Sequence, residues 1–293
     1  MSTDGANPPG GDRQPASDRL APIRRELGRL IRKEEAAFGR TRRPPDTLMG
    51  HLERVAAHAV RLARAEGVDP LLAELAALFH DAGKFHGGRY HEDDLPEEEH
   101  SVAVLRELGG RHGLDAAALD AVAAAIRQLY RDDPESTPLS RILFDADNLD
   151  KLGLPGMALY FIKSGLRGQS LSRDMIIRLT VELTYARYAA RGLYTRAARG
   201  MAEKRSAETI RFIHDLLAAL REDGLFDARI DTVRVGDLDL EVIRPAACPC
   251  GGAVALTSWI EQGKKCTEIH LAMTCAGCAD RHEIRFCRPR LIG

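Results

Sequence analysis

Residues 71–84 read LLAELAALFHDAGK and residues 140–153 read SRILFDADNLDKLG. In the first stretch Leu, Ala and Phe fill nearly every position from Leu71 to Phe79, and the run then stops at His80-Asp81, where Gly83 breaks the turn. An imidazole and a carboxylate side by side at the end of an apolar helix are ligand types that suit a metal ion. In the second stretch Ile142, Ala146, Leu149 and Gly153 make the packing side of a helix that also carries Asp145, Asp147 and Asp150. Upstream, HLERVAAHAVRLARAEG at 51–67 puts His51 and His58 seven apart on one helical face with Val55 between them.

Around these stretches the text from Thr47 to about Gly224 is helical throughout, with breaks expected near Val68, Gly109, Pro134 and Gly153. Leu20 to Phe38 reads as an amphipathic helix whose apolar stripe (Leu20, Ile23, Leu27, Leu30, Ile31) alternates with Arg24, Arg25, Arg29, Arg32 and Lys33. Its basic side is read as a solvated face, with contact to an acidic partner as the alternative. After Gly224 the character changes to short β-rich runs: Thr232–Val235, Leu238–Ile243, Val254–Ile260, Ile269–Thr274 and Glu283–Cys287. The predicted organisation is a disordered tail over 1–19, a helical domain over 20–225 and a β module over 226–293, mainly α overall.

Composition agrees with a folded chain. Of 293 residues, 44% are apolar and 29% charged, which excludes disordered, collagenous and membrane-spanning classes. A formal charge of −1 gives no global field that would draw the molecule onto nucleic acid. No stretch approaches the roughly 18 unbroken apolar residues of a spanning helix, and the start carries no apolar leader, so the default address is the cytoplasm.

A hydrolytic metal site needs neutral imidazoles to hold the ion, carboxylates to offset its charge, and open positions for water and substrate. His51, His80, Asp81 and one Asp of the 140–153 stretch meet that need. A His, then a His-Asp pair, then a distant Asp, all on helices, resembles the HD-domain phosphohydrolase superfamily. The family's last-ligand context, an Asp preceded by Ala and followed after one residue by Leu, is matched by Ala146-Asp147-Asn148-Leu149 and singles out Asp147. The string DADNLDKLGLPG, and LYTRAARGMAEKR at 193–205, resemble the compact bacterial members, so the resemblance spans roughly 47–222.

The resemblance implies an HD-type helical bundle and metal-dependent hydrolysis of a phosphorylated substrate. Lys84 would offset charge on a transferring phosphoryl group, its simpler reading being a cation at a helix C-terminus. His100 would act as general acid or second-metal ligand. Asp81 is assigned to orient the water as well as to bind the ion, and Arg127, Lys151 and Arg199 are further candidates to neutralise phosphoryl oxygens. His58 is read as a core residue, and Asp145 and Asp150 as solvated or paired with Arg141 or Lys151.

Members with two or three ions carry paired histidines after the helix that here reads AAAIRQLYRDD, and this chain has Leu129-Tyr130 and no Gly-Tyr-Pro. The expectation is therefore one tightly held divalent ion (Mn, Co, Ni, Fe or Mg) and a nucleotide or small phosphomonoester. The acidic loop through Glu92, Asp93, Asp94, Glu97, Glu98 and Glu99 is read as a solvated loop. As a lid it would favour a small substrate over a polyanion.

All six cysteines lie between 248 and 287, and the first 247 residues contain none. In a reducing compartment clustered thiols are metal ligands sooner than disulfides. Cys248-Pro-Cys250 and Cys275-Ala-Gly-Cys278 look like the two knuckles of a zinc ribbon closing on a structural zinc ion. The first knuckle is one residue short of C-x-x-C, which leaves Cys266, Cys287, His270 and His282 as alternatives to Cys250. Residues 226–293 balance nine Lys or Arg against nine Asp or Glu, so this module is expected to be structural or to dock a protein, not nucleic acid. The competing reading of the whole is a non-catalytic adaptor that binds a metal or nucleotide at the HD site and a partner through the ribbon.

Overall fold

The computed structural model describes residues 20–39, 47–90, 95–129, 131, 136–166, 168–263 and 266–292. The tail expected over 1–19, the basic linker Arg40–Pro45 and the acidic residues Glu92, Asp93 and Asp94 lie outside these residues. Among the described residues the chain is predominantly helical, and its strands all follow Gly224. They fall into two compact units, Met1–Ala56 with Asp69–Ser140, and Ala57–Val68 with Arg141–Gly293.

The first unit holds α1 (Ala21–Gly39), the first half of α2 (Thr47–Glu66), α3 (Pro70–Phe79), α4 (Glu97–Arg111) and α5 (Ala116–Gln128). Helix α1 forms as its stripe predicts: Leu20, Ile23, Leu27 and Ile31 are buried, and the helix packs on α4 and on the 3-10 turn His86–Gly88. Part of its basic side is not solvated, because Arg24 pairs with the buried carboxylate of Glu74 on α3. Helix α3 is capped by Asp69, whose side chain accepts from the Leu71 N–H at 2.8 Å, and is buried from Ala73 to Phe79. Helix α4 runs through Gly109 to Arg111, two residues beyond the expected break. Gly109 lies within the helix, where its lack of a side chain leaves room for Leu119, whose Cδ2 would be 2.5 Å from a Cβ, and the chain turns instead at Gly113, whose φ of 69° favours glycine.

The second unit contains α6 (Pro138–Asp150) from Arg141 onward, α7 (Gly153–Leu166), α8 (Arg173–Tyr188) and α9 (Arg196–Glu222). Five strands follow: β1 (Ala228–Val235), β2 (Leu238–Pro245), β3 (Val254–Gln262), β4 (Thr267–Cys275) and β5 (Arg281–Cys287). Strands β1 and β2 form an antiparallel hairpin, with Ala228 opposite Pro245 and Val235 opposite Leu238. Strands β3–β4–β5 form a separate antiparallel sheet with β4 at its centre. Helix and strand share one apolar core: Leu179, Leu183, Ile213 and Leu217 cluster with Leu238, Leu240, Val242, Leu271 and Phe286. Two polar links fasten α8 to β2. Thr180 Oγ1 accepts from the Ile243 N–H at 3.0 Å, and the Tyr188 hydroxyl takes the Asp239 N–H at 2.8 Å and donates to the Asp239 carbonyl at 3.0 Å.

Candidate metal centre

Helix α3 delivers His80 and Asp81 into a tight turn held by the Ala82 N–H to the Phe79 carbonyl (3.1 Å) and the Lys84 N–H to the Asp81 carbonyl (3.0 Å). The turn lies hard against α4. The Gly83 N–H donates to Ser101 Oγ at 3.0 Å, and a Cβ on Gly83 would fall 2.4 Å from His100 Cβ and 2.5 Å from the Ser101 nitrogen. Only glycine permits that approach, so the residue read as a helix breaker also fixes the turn's distance from α4.

His80 is buried, and its Nδ1 lies 2.8 Å from the Ala77 carbonyl. A carbonyl only accepts, so Nδ1 carries the proton and Nε2 keeps the lone pair that a metal needs. His80 Nε2 stands 3.8 Å from Asp81 Oδ1, and His51 Nε2, from α2, stands 3.9 Å from Asp81 Oδ2. The two imidazole rings meet edge to face at 5.3 Å. One ligand atom from each of His51, His80 and Asp81 lies within 4.8 Å of the others. Two donors on one ion with bonds of about 2.1 Å are separated by about 3 to 3.4 Å, so a small side-chain adjustment closes these atoms on a cation. The donor set of two imidazoles and a carboxylate fits a divalent transition ion.

Lys84 Nζ sits 2.5 Å from Asp81 Oδ2 and 3.8 Å from Glu97 Oε1. Burial works against its charge, but these carboxylates outweigh burial and raise its pKa, so the ammonium is firmly charged. His100 stacks on His86 with ring centroids 4.2 Å apart. His58 is half-buried, as a residue at the edge of a core is.

In the second unit Asp147 is buried on α6 and accepts from Lys151 Nζ at 2.9 Å. Its neighbour corrects the sequence reading: Asp145 is not solvated. It is fully buried and accepts the Tyr194 N–H (2.9 Å), the Thr195 N–H (2.8 Å) and the Thr195 hydroxyl (2.7 Å). Burial pushes its carboxyl up to about 6, against the pull of those three donors. Asp150 is buried too. Sequence reasoning singled out the 193–205 stretch but missed what it does: Thr195 caps α9 and binds Asp145, and Arg205 donates to the Leu149 carbonyl at 3.0 Å. All three further candidates for neutralising phosphoryl oxygens already have work: Lys151 on Asp147, Arg127 in a two-point pair with Glu99 at 2.7 Å, and Arg199 donating to the Leu193 carbonyl at 2.8 Å.

The cysteines assemble as well. Sγ atoms of Cys248, Cys250, Cys275 and Cys278 all lie within 4.8 Å of one another, with Cys248–Cys278 at 3.5 Å and Cys250–Cys275 at 3.4 Å. Tetrahedral thiolates at zinc are about 3.8 Å apart, so the set fits a zinc ion. Backbone N–H groups of Cys278 and Gly277 face the Cys275 sulfur and lower its pKa, while the pKa values of the neighbouring Cys248 and Cys278 thiols are raised. The alternatives to Cys250 fall away. Cys266 and Cys287 are joined in a disulfide with Cα atoms 5.8 Å apart, so the expectation that the clustered thiols are ligands sooner than disulfides is corrected for this pair, and neither stands in for Cys250. That bond forms because Cys266 immediately precedes β4 while Cys287 ends β5, the strand paired beside it. His282 is held by Asp174 (2.8 Å) and Asp280 (3.4 Å), and alternation along β4 puts His270 on the face opposite Cys275.

Among known families, the HD domain model matches residues 48–152. No curated protein matches the chain. Among solved structures, Bacillus subtilis YpgQ is similar with 22% identity and a TM-score of 0.54, the match covering 70% of this chain and 98% of that one. A structure of YpgQ in complex with ADP matches at 22% identity and a TM-score of 0.52, covering 70% and 96%. A Lactobacillus plantarum protein matches at 20% identity and a TM-score of 0.51, covering 72% of this chain and all of that one. At such identities the likeness speaks for the fold. The HD domain model thus matches the stretch that carries the His51–His80–Asp81 cluster, and the four gathered cysteines at the C-terminal sheet fit a zinc-ribbon-like module.

Proposed function

We propose that the chain is a metal-dependent phosphohydrolase that acts on a nucleotide or small phosphomonoester. The observation that carries this reading is the convergence of His51, His80 and Asp81 within 4.8 Å, with the lone pair of His80 Nε2 directed at Asp81 by the Ala77 carbonyl. His51, His80 and Asp81 would hold a divalent ion, and the family pattern would add Asp147, buried and acidic, as the fourth ligand. When bound, such an ion supplies a water of lowered pKa and a Lewis acid for phosphoryl oxygen.

The chain's own groups supply the rest. Asp81 would hold the ion and also orient a water, while Lys84, now on Asp81, would turn its ammonium to a phosphoryl oxygen as charge develops there. His100 donates a proton to the leaving oxygen. The complex of YpgQ with ADP supports a nucleotide as the first class to try. The cysteine cluster is assigned a structural zinc ion and a place for a protein partner.

The test is phosphate release by chelator-stripped protein resupplied with Mn²⁺, Co²⁺, Ni²⁺, Fe²⁺ or Mg²⁺, over nucleotides and small phosphomonoesters, with Asp147→Ala and Asp81→Asn beside wild type. Turnover by wild type that falls at least a hundredfold in both variants supports the reading. Silence on every substrate by a wild type that still holds an ion at this site would move the reading to a binding or adaptor role.

A further inference from the structure

The outer face of the β3–β4–β5 sheet carries a third cluster of metal-binding side chains, built from other residues than the two above. On central β4, His270 is only 5% exposed, and among the described residues neither ring nitrogen has a hydrogen-bond partner. Its Nε2 lies 3.5 Å from Glu261 Oε2 and 3.5 Å from Glu268 Oε2, and its Nδ1 lies 3.8 Å from Glu283 Oε1. The strand register explains the convergence. Trp259 stands opposite His270, and Glu261 stands opposite Glu268 one same-face step along, so both carboxylates reach the same edge of the ring. Trp259 stacks on the imidazole at 4.9 Å and 16°, which fixes the ring plane with Nε2 toward that edge.

Buried polar groups nearly always find a hydrogen-bond partner, so an imidazole with two bare nitrogens inside a ring of carboxylates calls for a cation. Nitrogen and oxygen donors on one tetrahedral ion with bonds of about 2.0 to 2.2 Å are about 3.4 Å apart, close to both distances at Nε2, while the two carboxylates stand more than 4.8 Å from one another, so the exposed Glu261 side chain must swing toward Glu268 to close the site. Nearby guanidinium groups divide the acids unequally. Arg281 holds Glu283 at 3.2 Å, whereas Arg285 stands off at 3.7 Å from Glu268, and no ion pair with a cation is recorded for Glu261 among the described residues apart from His270. An imidazole paired with carboxylates selects zinc over calcium or magnesium, which prefer all-oxygen shells.

We propose that His270, Glu261 and Glu268 form a binding site for a divalent zinc-type ion on the outer face of the C-terminal sheet. The competing occupant is a proton, which would make His270 an imidazolium paired with the same carboxylates. The two are separated on the full-length protein by zinc content after equilibrium dialysis at pH 7.5. Wild type is compared with Glu261→Gln and His270→Gln, and ¹⁵N spectra of the His270 ring are recorded with and without Zn²⁺. The expected result is one zinc ion fewer per chain in each variant, at least tenfold weaker binding of that ion, and a shift of the His270 Nε2 resonance on zinc addition. Glu261 is exposed, so Glu261→Gln retains the fold if His270→Gln does not, and a melting curve verifies it. Equal zinc content in wild type and Glu261→Gln, or a His270 ring that keeps both protons in the presence of Zn²⁺, overturns the proposal.

Discussion

The Asp145 carboxylate and Thr195 are joined twice: Thr195 donates its backbone N–H at 2.8 Å and its hydroxyl at 2.7 Å to Asp145, and the same Oγ1 caps α9 by accepting the Ala198 N–H. One contact thus sets where α9 begins relative to α6, the helix that carries Asp147.

Asp145→Ala strands two buried N–H groups and a hydroxyl without an acceptor, at a cost of about 3 kcal/mol, and Thr195→Ala loses the cap and one bond for about 1 to 2 kcal/mol. Denaturant titration of both variants checks the order. Losses under 0.5 kcal/mol in Asp145→Ala would remove the residue's structural role.

Gly83→Ala drives a methyl into His100 and Ser101, where the nearest backbone atom is 2.5 Å away. The turn bearing His80 and Asp81 must shift, for about 1 to 3 kcal/mol of stability. Affinity for Mn²⁺ by calorimetry is expected to fall at least tenfold while the helical content by circular dichroism holds. Unchanged affinity would show that the approach of the turn to α4 does not position the ligands.

Lys84→Met has effects of opposite sign on binding and turnover. The ammonium at 2.5 Å competes with a metal for Asp81, so its removal should tighten metal binding several-fold. The same removal withdraws positive charge from the developing phosphoryl oxygens and should lower kcat by roughly 10- to 100-fold. A variant with weaker metal binding and unchanged kcat would contradict both assignments.

Chelation of zinc, or Cys275→Ser, should loosen β3, β4 and β5 while α3 to α5 stay folded, since thiolate ligation supplies a large part of the stability of small β modules. The only tryptophan, Trp259, lies on β3 and reports this by fluorescence, with hydrogen exchange locating the loss. Protection in β4 that is the same with and without zinc would show that the core shared with α8 and α9 suffices.

The sequence by itself determined the helical and strand segments and the chemistry of the candidate ligands. Apolar periodicity in α1 and α3 is local and strong, because a helix must hide one face whatever it packs against. Each of the five expected strands lies inside an observed one, short by a few residues at the ends where side-chain alternation fades. His80-Asp81 was legible because an imidazole and a carboxylate side by side at the end of an apolar run have few structural uses.

What only the tertiary structure decided depends on partners far away in the chain. Asp145, Asp147 and Asp150 share one helix, and nothing local tells the carboxylate bound by Thr195 from the one paired with Lys151. The six cysteines read alike in a string, yet strand pairing brings Cys266 to Cys287 and two turns bring the other four together. His270 looked like a spare zinc ligand until the parity of β4 placed it on the opposite face, among glutamates 2 and 9 residues away in sequence on its own and the paired strand. Periodicity reports which residues face inward, but which inward groups meet is set by pairing register and helix packing, over separations that no local pattern encodes.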